Sequence, residues 1–280
     1  AEYEAGSEIL DILITGARAN IIRPRVVKAQ MKKRDRTRTR AEVFTPSWVC
    51  NAQNNLIDAQ WFGVENAFNE ATEQGWKTNI EQISFPAKRT KSWKRYVDAK
   101  RLEITCGEAP YLASRYDSVT GDMIPLCERI GLLDRKFRVV NENATDPKEW
   151  KKWARRAIES IYGYEFHGDS LLLARTNILY TYIENYREQL KTEPSMKELQ
   201  DIARVISWNL WQMDGFNYAI PYCETSDWPE QIILGDLMSD EDSFDFSRLT
   251  DTKGQQLYKI HDWRANKTIV FKSLVRGNLR

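Results

Sequence analysis

The stretch Arg101-Leu-Glu-Ile-Thr-Cys-Gly-Glu-Ala-Pro-Tyr-Leu112 begins like a buried β-strand and then continues into a turn that carries acidic, thiol, glycine and proline residues. In open α/β sheets, ligands bind beyond the carboxyl ends of the strands, where turns expose backbone amides. Gly107 would let the backbone approach a ligand without interference from a Cβ atom, and Glu103 could accept hydrogen bonds from hydroxyl or amino groups. The stretch therefore predicts a ligand-binding turn at the end of a strand.

A second stretch of this kind follows further along the chain, at Ile161-Tyr-Gly-Tyr-Glu-Phe-His-Gly-Asp169. Glu165 stands at the end of a predicted strand, and the residues SLLLARTNIL after it have the pattern of a helix. An acid in this position can take two ribose hydroxyl groups. Each stretch alone also fits an ordinary strand–turn–helix unit, so the prediction of a nucleoside-type ligand depends on the pair.

Strands alternate with helices along the rest of the chain. A helix is predicted after Thr45-Pro46-Ser47, because Ser or Thr as cap with Pro in the first turn is a start signal. Further helices are predicted at the N-terminus and over residues 147–160, 170–190 and 197–207, strands over 101–105, 161–166, 232–234, 257–260 and 267–275, and an irregular connector over 63–98. The alternation predicts an α/β fold with a mostly parallel sheet flanked by helices. We expect an N-terminal helical segment with a basic arm over residues 1–60 and the sheet domain over 61–280.

Composition excludes several classes of protein. No run of about 18 apolar residues could span a bilayer, and the acidic N-terminal residues do not resemble a secretory signal, so we expect a cytoplasmic protein. The four cysteines form no CxxC pair, which argues against a zinc ribbon or a disulfide framework. They are Cys50, Cys106, Cys127 and Cys223.

Positive charge is concentrated between Arg23 and Arg40, where nine Lys or Arg residues stand against one Asp. So dense a run repels itself and needs either solvent or an anion such as phosphate. The sequence leaves both a solvated loop and a phosphate-binding arm open. The DNA-binding candidates are Lys32, Lys33, Arg34, Arg36, Arg38 and Arg40.

The stretch RLEITCGEAPYL resembles the first motif of class I S-adenosylmethionine-dependent DNA methyltransferases, the gamma-type adenine-N6 group of restriction-modification systems. That motif usually reads Asp-Pro-Ala-Cys-Gly-Ser-Gly-x-Phe-Leu. Cys106 and Gly107 match it, whereas Glu103 stands for the Asp, Thr105 for the Ala, Glu108 for the Ser and Ala109 for the second Gly. YGYEFHGDSLLLARTNIL resembles the second motif, and Arg40-Ala-Glu-Val-Phe-Thr-Pro46 resembles the Phe-Thr-Pro motif that precedes the first.

The resemblance implies a Rossmann-like methyltransferase fold, with S-adenosylmethionine as the cofactor and no metal. It implies DNA as the partner, from which a base is flipped into the pocket, and it leaves open a further restriction-modification subunit as a second partner. It implies that Glu165 holds the ribose and that Phe166 lies beside the adenine ring. The cofactor-binding residues that it implies are Phe44, Thr45, Pro46, Glu103, Thr105, Cys106, Gly107, Glu165, Phe166 and Asp214.

The family's catalytic motif, Asn or Asp followed by Pro-Pro-Tyr, is the point at which this sequence departs from the pattern. The chain has no Pro-Pro pair; Ala219-Ile-Pro-Tyr222 keeps the Pro-Tyr half, and Asp262-Trp263 offers an acid and an aromatic ring. Asp214 and Tyr222 are the catalytic candidates, with Asp236 as an alternative third-motif acid. Two hypotheses remain open, an adenine-N6 DNA methyltransferase and a catalytically silent methyltransferase-like protein that binds DNA or another protein.

Overall fold

The computed structural model describes residue 8 and residues 10–15, 17–18, 22–27, 44–86, 89–221 and 257–276. These residues form two compact units, one from Glu8 to Trp211 and the other from Gln212 onward. The fold is mixed α/β, with helices and a small parallel sheet of three strands. The helices are α1 (Ser47–Phe62), α2 (Trp93–Asp98), α3 (Leu132–Asn143), α4 (Pro147–Glu159), α5 (Gly168–Leu190), α6 (Met196–Asn209) and α7 (Phe271–Arg276). The strands are β1 (Asn69–Thr72), β2 (Gly75–Thr78), β3 (Arg101–Glu103), β4 (Ile161–Glu165), β5 (Leu210–Gln212), β6 (Lys259–Asp262) and β7 (Lys267–Val270).

The three-stranded sheet has the order β3-β4-β5. β3 and β4 pair in parallel, with Arg101 opposite Ile161 and Glu103 opposite Gly163. Ile161 is fully buried, as is expected for a residue of a parallel strand that is covered by helices. Because the two strands run in the same direction and in this register, their carboxyl ends lie side by side.

Several elements agree with the sequence-based expectations to within a few residues. Helix α1 begins at Ser47, directly after Pro46, and ends at Phe62. The residue after it, Gly63, caps the helix in the left-handed conformation with φ of 79°. Helices α4 to α6 and strand β4 also form where periodicity predicts them. Asp146 caps α4 by accepting hydrogen bonds from the backbone N–H groups of Lys148 and Glu149.

The prediction of an irregular connector over residues 63–98 is wrong. This region contains an antiparallel hairpin of β1 and β2, with Asn69 opposite Thr78, followed by the short helix α2. The strands are polar and mostly exposed, so they lack the alternation of apolar and polar residues that predicts a half-buried strand.

Two further corrections concern the ends of the chain. The N-terminal region is expected to form an amphipathic helix, but its described residues contain only short 3-10 turns, at Asp11–Leu13 and Arg25–Val27. The strand expected over residues 267–275 is β7 followed by the short helix α7. The strand expected over residues 232–234 lies outside the described residues.

Helix α3 is not predicted from the sequence, and it is anchored by a buried ion pair. Arg135 donates to Asp58 Oδ2 on α1 at 2.5 Å, and the two side chains are 1% and 3% exposed. The same guanidinium donates to Asn51 Oδ1 at 2.8 Å and to Asn55 Oδ1 at 2.7 Å. We call these four residues the α1–α3 cluster.

Candidate functional site

The two strand-end stretches meet through backbone and side-chain hydrogen bonds. The Cys106 N–H donates to the carbonyl oxygen of Tyr164 at 2.8 Å, which continues the pairing of the strands beyond β3. The Gly107 N–H then donates to Glu165 Oε2 at 2.9 Å. The turn after β3 and the acid at the end of β4 therefore form one structural unit.

The backbone of the turn after β3 alternates in handedness. Thr105, Gly107 and Ala109 have φ values of 46°, 54° and 63°, all in the left-handed region. That region is unfavourable for residues with a Cβ atom, and a β-branched residue such as Thr is rare there. Ala109 thus keeps a conformation that glycine adopts without strain. Strained backbone of this kind is concentrated at functional sites in proteins.

A cavity of about 760 Å³ opens beside this turn. We call it the strand-end pocket. A Cβ atom on Gly107 would meet no heavy atom within 4 Å, so the pocket leaves open space next to the Gly107 backbone. Eight residues expected to bind a cofactor line the pocket, namely Phe44, Thr45, Glu103, Thr105, Cys106, Gly107, Glu165 and Phe166.

The Phe-Thr-Pro segment is held at the pocket by the loop after Tyr116. The Ser118 hydroxyl donates to the carbonyl oxygen of Thr45 at 2.6 Å, and the Ser47 N–H donates to Asp117 Oδ2 at 2.7 Å. Pro46 itself does not line the pocket; it is the cap residue of α1. Two of the three residues of this segment thus belong to the pocket wall, and the third begins the helix behind it.

Glu103 is buried at the end of β3 and supports the next turn of the chain. Its Oε1 accepts from the Tyr111 N–H at 3.3 Å and its Oε2 accepts from the Leu112 N–H at 3.2 Å. Burial, with a smaller contribution from the charge of Glu165, raises the pKa of Glu103 to about 8, although these two hydrogen bonds act to lower it. The carboxyl of Glu103 is therefore able to hold a proton near neutral pH, and a bound cation would favour its release.

Glu165 is 8% exposed, and both of its oxygens accept backbone hydrogen bonds. Oε2 accepts from Gly107, and Oε1 accepts from the His167 N–H at 3.0 Å. A carboxylate has about four acceptor positions, so two remain for a ligand. Phe166 follows directly and contacts the His167 ring edge-on, with centroids 5.3 Å apart.

One cysteine, Cys106, lines the pocket, and a second buried cysteine, Cys50, lies on helix α1; neither has the character of a nucleophile. Burial raises the pKa of the Cys106 thiol well above its ordinary value, and the nearby Glu103 and Glu165 carboxylates add to the shift. Burial likewise raises the pKa of Cys50 to about 12. Because the thiolate is the reactive form, these neutral thiols are packing groups.

Arg25 and Glu108 line the pocket, although neither is among the expected cofactor-binding residues. Arg25 belongs to the basic run that is expected to face solvent or phosphate, but its side chain is 4% exposed and pairs with carboxylates instead. The Arg25 N–H donates to Glu108 Oε1 at 2.9 Å, and its guanidinium lies 2.9 Å from Asp169 Oδ1. The Tyr116 hydroxyl donates to the other oxygen of Glu108. The Glu108 carboxylate thus joins the segment of Arg25 to the turn after β3.

The catalytic candidate Asp214 accepts hydrogen bonds from the turn that follows it. Asp214 Oδ1 accepts from the backbone N–H groups of Phe216 and Asn217 at 2.8 and 3.3 Å, and Oδ2 accepts from Asn217 Nδ2 at 2.9 Å. Its carboxylate thus stabilises its own turn, in the unit that begins at Gln212. Asp262 makes similar bonds to Arg264 and Ala265.

The remaining candidates lie outside the described residues. They are Tyr222, the alternative acid Asp236, and the basic-arm residues Lys32, Lys33, Arg34, Arg36, Arg38 and Arg40.

The described part of the chain contains neither a candidate metal site nor a helix that could span a membrane. There, no group of three or more His, Cys, Asp or Glu side chains could hold a metal ion. None of the helices within the described ranges is both long and apolar enough to cross a membrane.

Comparison with known proteins finds no match to any family model, curated protein or solved structure.

Proposed function

We propose that this chain binds S-adenosylmethionine in the strand-end pocket and belongs to the adenine-N6 DNA methyltransferase type, with a Rossmann-like methyltransferase fold. The observation that carries the proposal is the hydrogen bond from the Gly107 N–H to Glu165 Oε2. It brings the two motif-like stretches to one point, as a shared nucleoside ligand requires.

The residues of the pocket fit this cofactor. The volume of the pocket, about 760 Å³, lies in the range of small-molecule and cofactor sites. Glu165 has two acceptor positions left for the ribose hydroxyls, and the ring of Phe166 offers an apolar surface to the adenine. Open space beside Gly107 would let the backbone approach the methionine end.

When bound, the cofactor supplies a methyl group on a positively charged sulfur for transfer to an exocyclic amine. The protein's part in such a reaction is to position the two groups and to accept hydrogen bonds from the amine. The Glu165 carboxylate can face a bound cation, and Glu103 adds a second negative charge when such a cation favours the loss of its proton. The cations of the basic arm from Lys28 to Arg40, beyond the buried Arg25, would contact the phosphates of DNA and lead a flipped base toward the cofactor.

A second candidate function is a catalytically silent methyltransferase-like protein that binds DNA or another protein. Two observations favour it. The sequence has no Pro-Pro-aromatic motif, and the Asp214 carboxylate is engaged by its own turn. Without acceptors for the target amine, such a protein could bind the cofactor and DNA without reacting, unless a partner subunit supplies the missing motif.

The cofactor proposal is tested by titration calorimetry of the full chain with S-adenosylmethionine. We expect Glu165→Ala to lower the affinity roughly 30- to 150-fold, because two hydrogen bonds from hydroxyl groups to a carboxylate contribute about 2 to 3 kcal/mol. Glu188→Ala is a matched control, since that glutamate is exposed and pairs with Lys191 on the surface. Equal affinities of wild type and Glu165→Ala would remove Glu165 from the site.

A second experiment separates the two candidate functions. The protein is incubated with radiolabelled S-adenosylmethionine and DNA of mixed sequence, and cofactor binding and methyl transfer are scored separately. Transfer to adenine N6 supports the enzyme. Binding without transfer supports the silent protein, and no binding at all refutes the cofactor proposal.

A further inference from the structure

Asn54 is a fully buried side chain of α1 that lines the strand-end pocket. Its Nδ2 donates to the carbonyl oxygens of Tyr111 and Ile130, both at 3.0 Å. A carbonyl oxygen can only accept, so these two bonds fix which end of the amide is the nitrogen. Among the described residues, Asn54 Oδ1 has no hydrogen-bond partner.

A neighbouring amide on the same helix provides the contrast. Asn51 donates to Asn69 Oδ1 at 2.9 Å and accepts from Asn69 Nδ2 at 2.8 Å. It is also fully buried, so burial alone does not leave an amide of α1 without partners. An unpaired buried acceptor is unfavourable, and proteins rarely keep one without a reason. Asn54 differs from Asn51 in that it borders the pocket.

Glu103 is a second acceptor that lines the pocket, and it bonds to the same residue as Asn54. It accepts from the N–H of Tyr111, the residue whose carbonyl accepts from Asn54. The two side chains therefore flank one residue of the pocket wall, and they offer a carboxyl group and an amide oxygen. The group that matches this pair is a primary ammonium, which has three donor hydrogens and a positive charge.

We infer that Asn54 is a further ligand-binding residue, whose amide oxygen accepts a hydrogen bond from the primary ammonium group of a ligand that carries an amino-acid end. The inference rests on the proposed function, in which that end is the methionine part of the cofactor. It adds a binding residue on α1 to the residues after β3 and β4. It also gives the helix that follows the Phe-Thr-Pro segment a direct role in recognising the ligand.

The test combines one change in the ligand with one change in the protein. S-adenosylhomocysteine is compared by calorimetry with its deamino analogue, S-adenosyl-4-thiobutyrate, which lacks only the α-amino group. In the wild type, we expect removal of the amino group to lower the affinity about tenfold, because it removes a charge-assisted hydrogen bond. In Asn54→Ala, the same removal should change the affinity less than about threefold, since the acceptor is already gone.

Asn55→Ala is the control, because Asn55 is an amide on the same helix that belongs to the α1–α3 cluster. It should keep the tenfold ratio between the two ligands. A tenfold ratio in Asn54→Ala as well would overturn the inference while leaving the proposed function in place. If neither ligand binds the wild type, the proposed function itself fails.

Circular dichroism checks that each variant folds. Should Asn54→Ala not fold, the shorter polar variant Asn54→Ser takes its place. The wild type also gives an independent answer, since equal affinities for the two ligands would show that no protein group recognises the amine.

Discussion

The α1–α3 cluster and the strand-end pocket are both built from buried polar side chains, but they differ in charge balance. In the cluster, the Arg135 guanidinium faces the Asp58 carboxylate at 2.5 Å, with amide oxygens around it. In the pocket, Glu103 and Glu165 are equally buried, yet neither makes an ion pair within the described part of the chain. The first arrangement holds two helices together, and the second keeps acceptors for a ligand.

The two regions also differ in their backbones. Arg135, Asp58 and their amide partners all lie on regular helices or directly beside them. The turn beside the pocket instead contains three left-handed residues within five positions, two of which have a Cβ atom. A fold retains such strain where the surrounding structure requires it, and a binding site is the usual reason. The ion pair on regular helices therefore marks the scaffold, whereas the carboxyl groups of Glu103 and Glu165, which make no ion pair among the described residues, mark the site beside a strained turn.

The largest expected effect tests the scaffold side of this comparison. We expect Arg135→Met to lower the free energy of unfolding by about 3 to 5 kcal/mol, because it leaves the Asp58 carboxylate buried without a partner. Urea unfolding followed by circular dichroism measures the change. Arg155→Met is the control, since Arg155 is 43% exposed and pairs with Glu159 on the surface of α4, where the loss should stay below about 1 kcal/mol. Similar losses in the two variants would contradict the assignment of Arg135 to the scaffold.

The next effect concerns the unbalanced carboxyl of Glu103. Its pKa in the folded protein, about 8, lies above its ordinary value of 4.5, so the folded protein keeps a proton that the unfolded chain loses. The free energy of unfolding should therefore fall as the pH rises from about 4.5 through about 8. We expect Glu103→Gln to remove a pH dependence on the order of 4 kcal/mol from that window.

The measurement is a series of urea unfolding curves at pH 5, 7 and 9 for the wild type and Glu103→Gln. The difference between the two proteins isolates Glu103, because the other titrating groups are common to both. A difference that does not change with pH would show that the carboxyl ionises normally. A bound cationic ligand should shift the wild-type loss of stability to lower pH values.

The smallest effect tests the strain in the turn. Thr105 is exposed and has φ of 46°, so Thr105→Gly should be more stable than Thr105→Ala by about 1 kcal/mol, since only glycine relieves the left-handed strain. Thermal or urea unfolding compares the two variants. The same pair at Thr78, in the regular strand β2, should show the opposite order. If glycine is the less stable residue at both positions, the turn after β3 is not strained at Thr105.

Parts of this fold follow from local sequence signals. Helix α1 starts where Pro46 and Ser47 indicate, and β4 ends at Glu165, one residue before the predicted end of that strand. Helix α3 escapes prediction because its buried face includes Arg135 and Lys136, which are charged residues with distant partners. Lys136 donates to the carbonyl oxygen of Ala99 and to the Ser160 hydroxyl, on other elements. No local pattern can indicate that such residues are buried.

The sequence by itself determined the local features of the site: a strand that ends in an acid, a glycine in the turn after it, and a second strand of the same design. These depend on residue type and on neighbours a few positions away, which is why they can be read from the printed chain. The tertiary structure alone decided that Gly107 meets Glu165, that Glu108 meets Arg25, and that Asn54 lines the pocket while its oxygen has no partner among the described residues. Those outcomes depend on which elements pack together, and the hydrogen bonds that settle them join residues 57 to 83 positions apart.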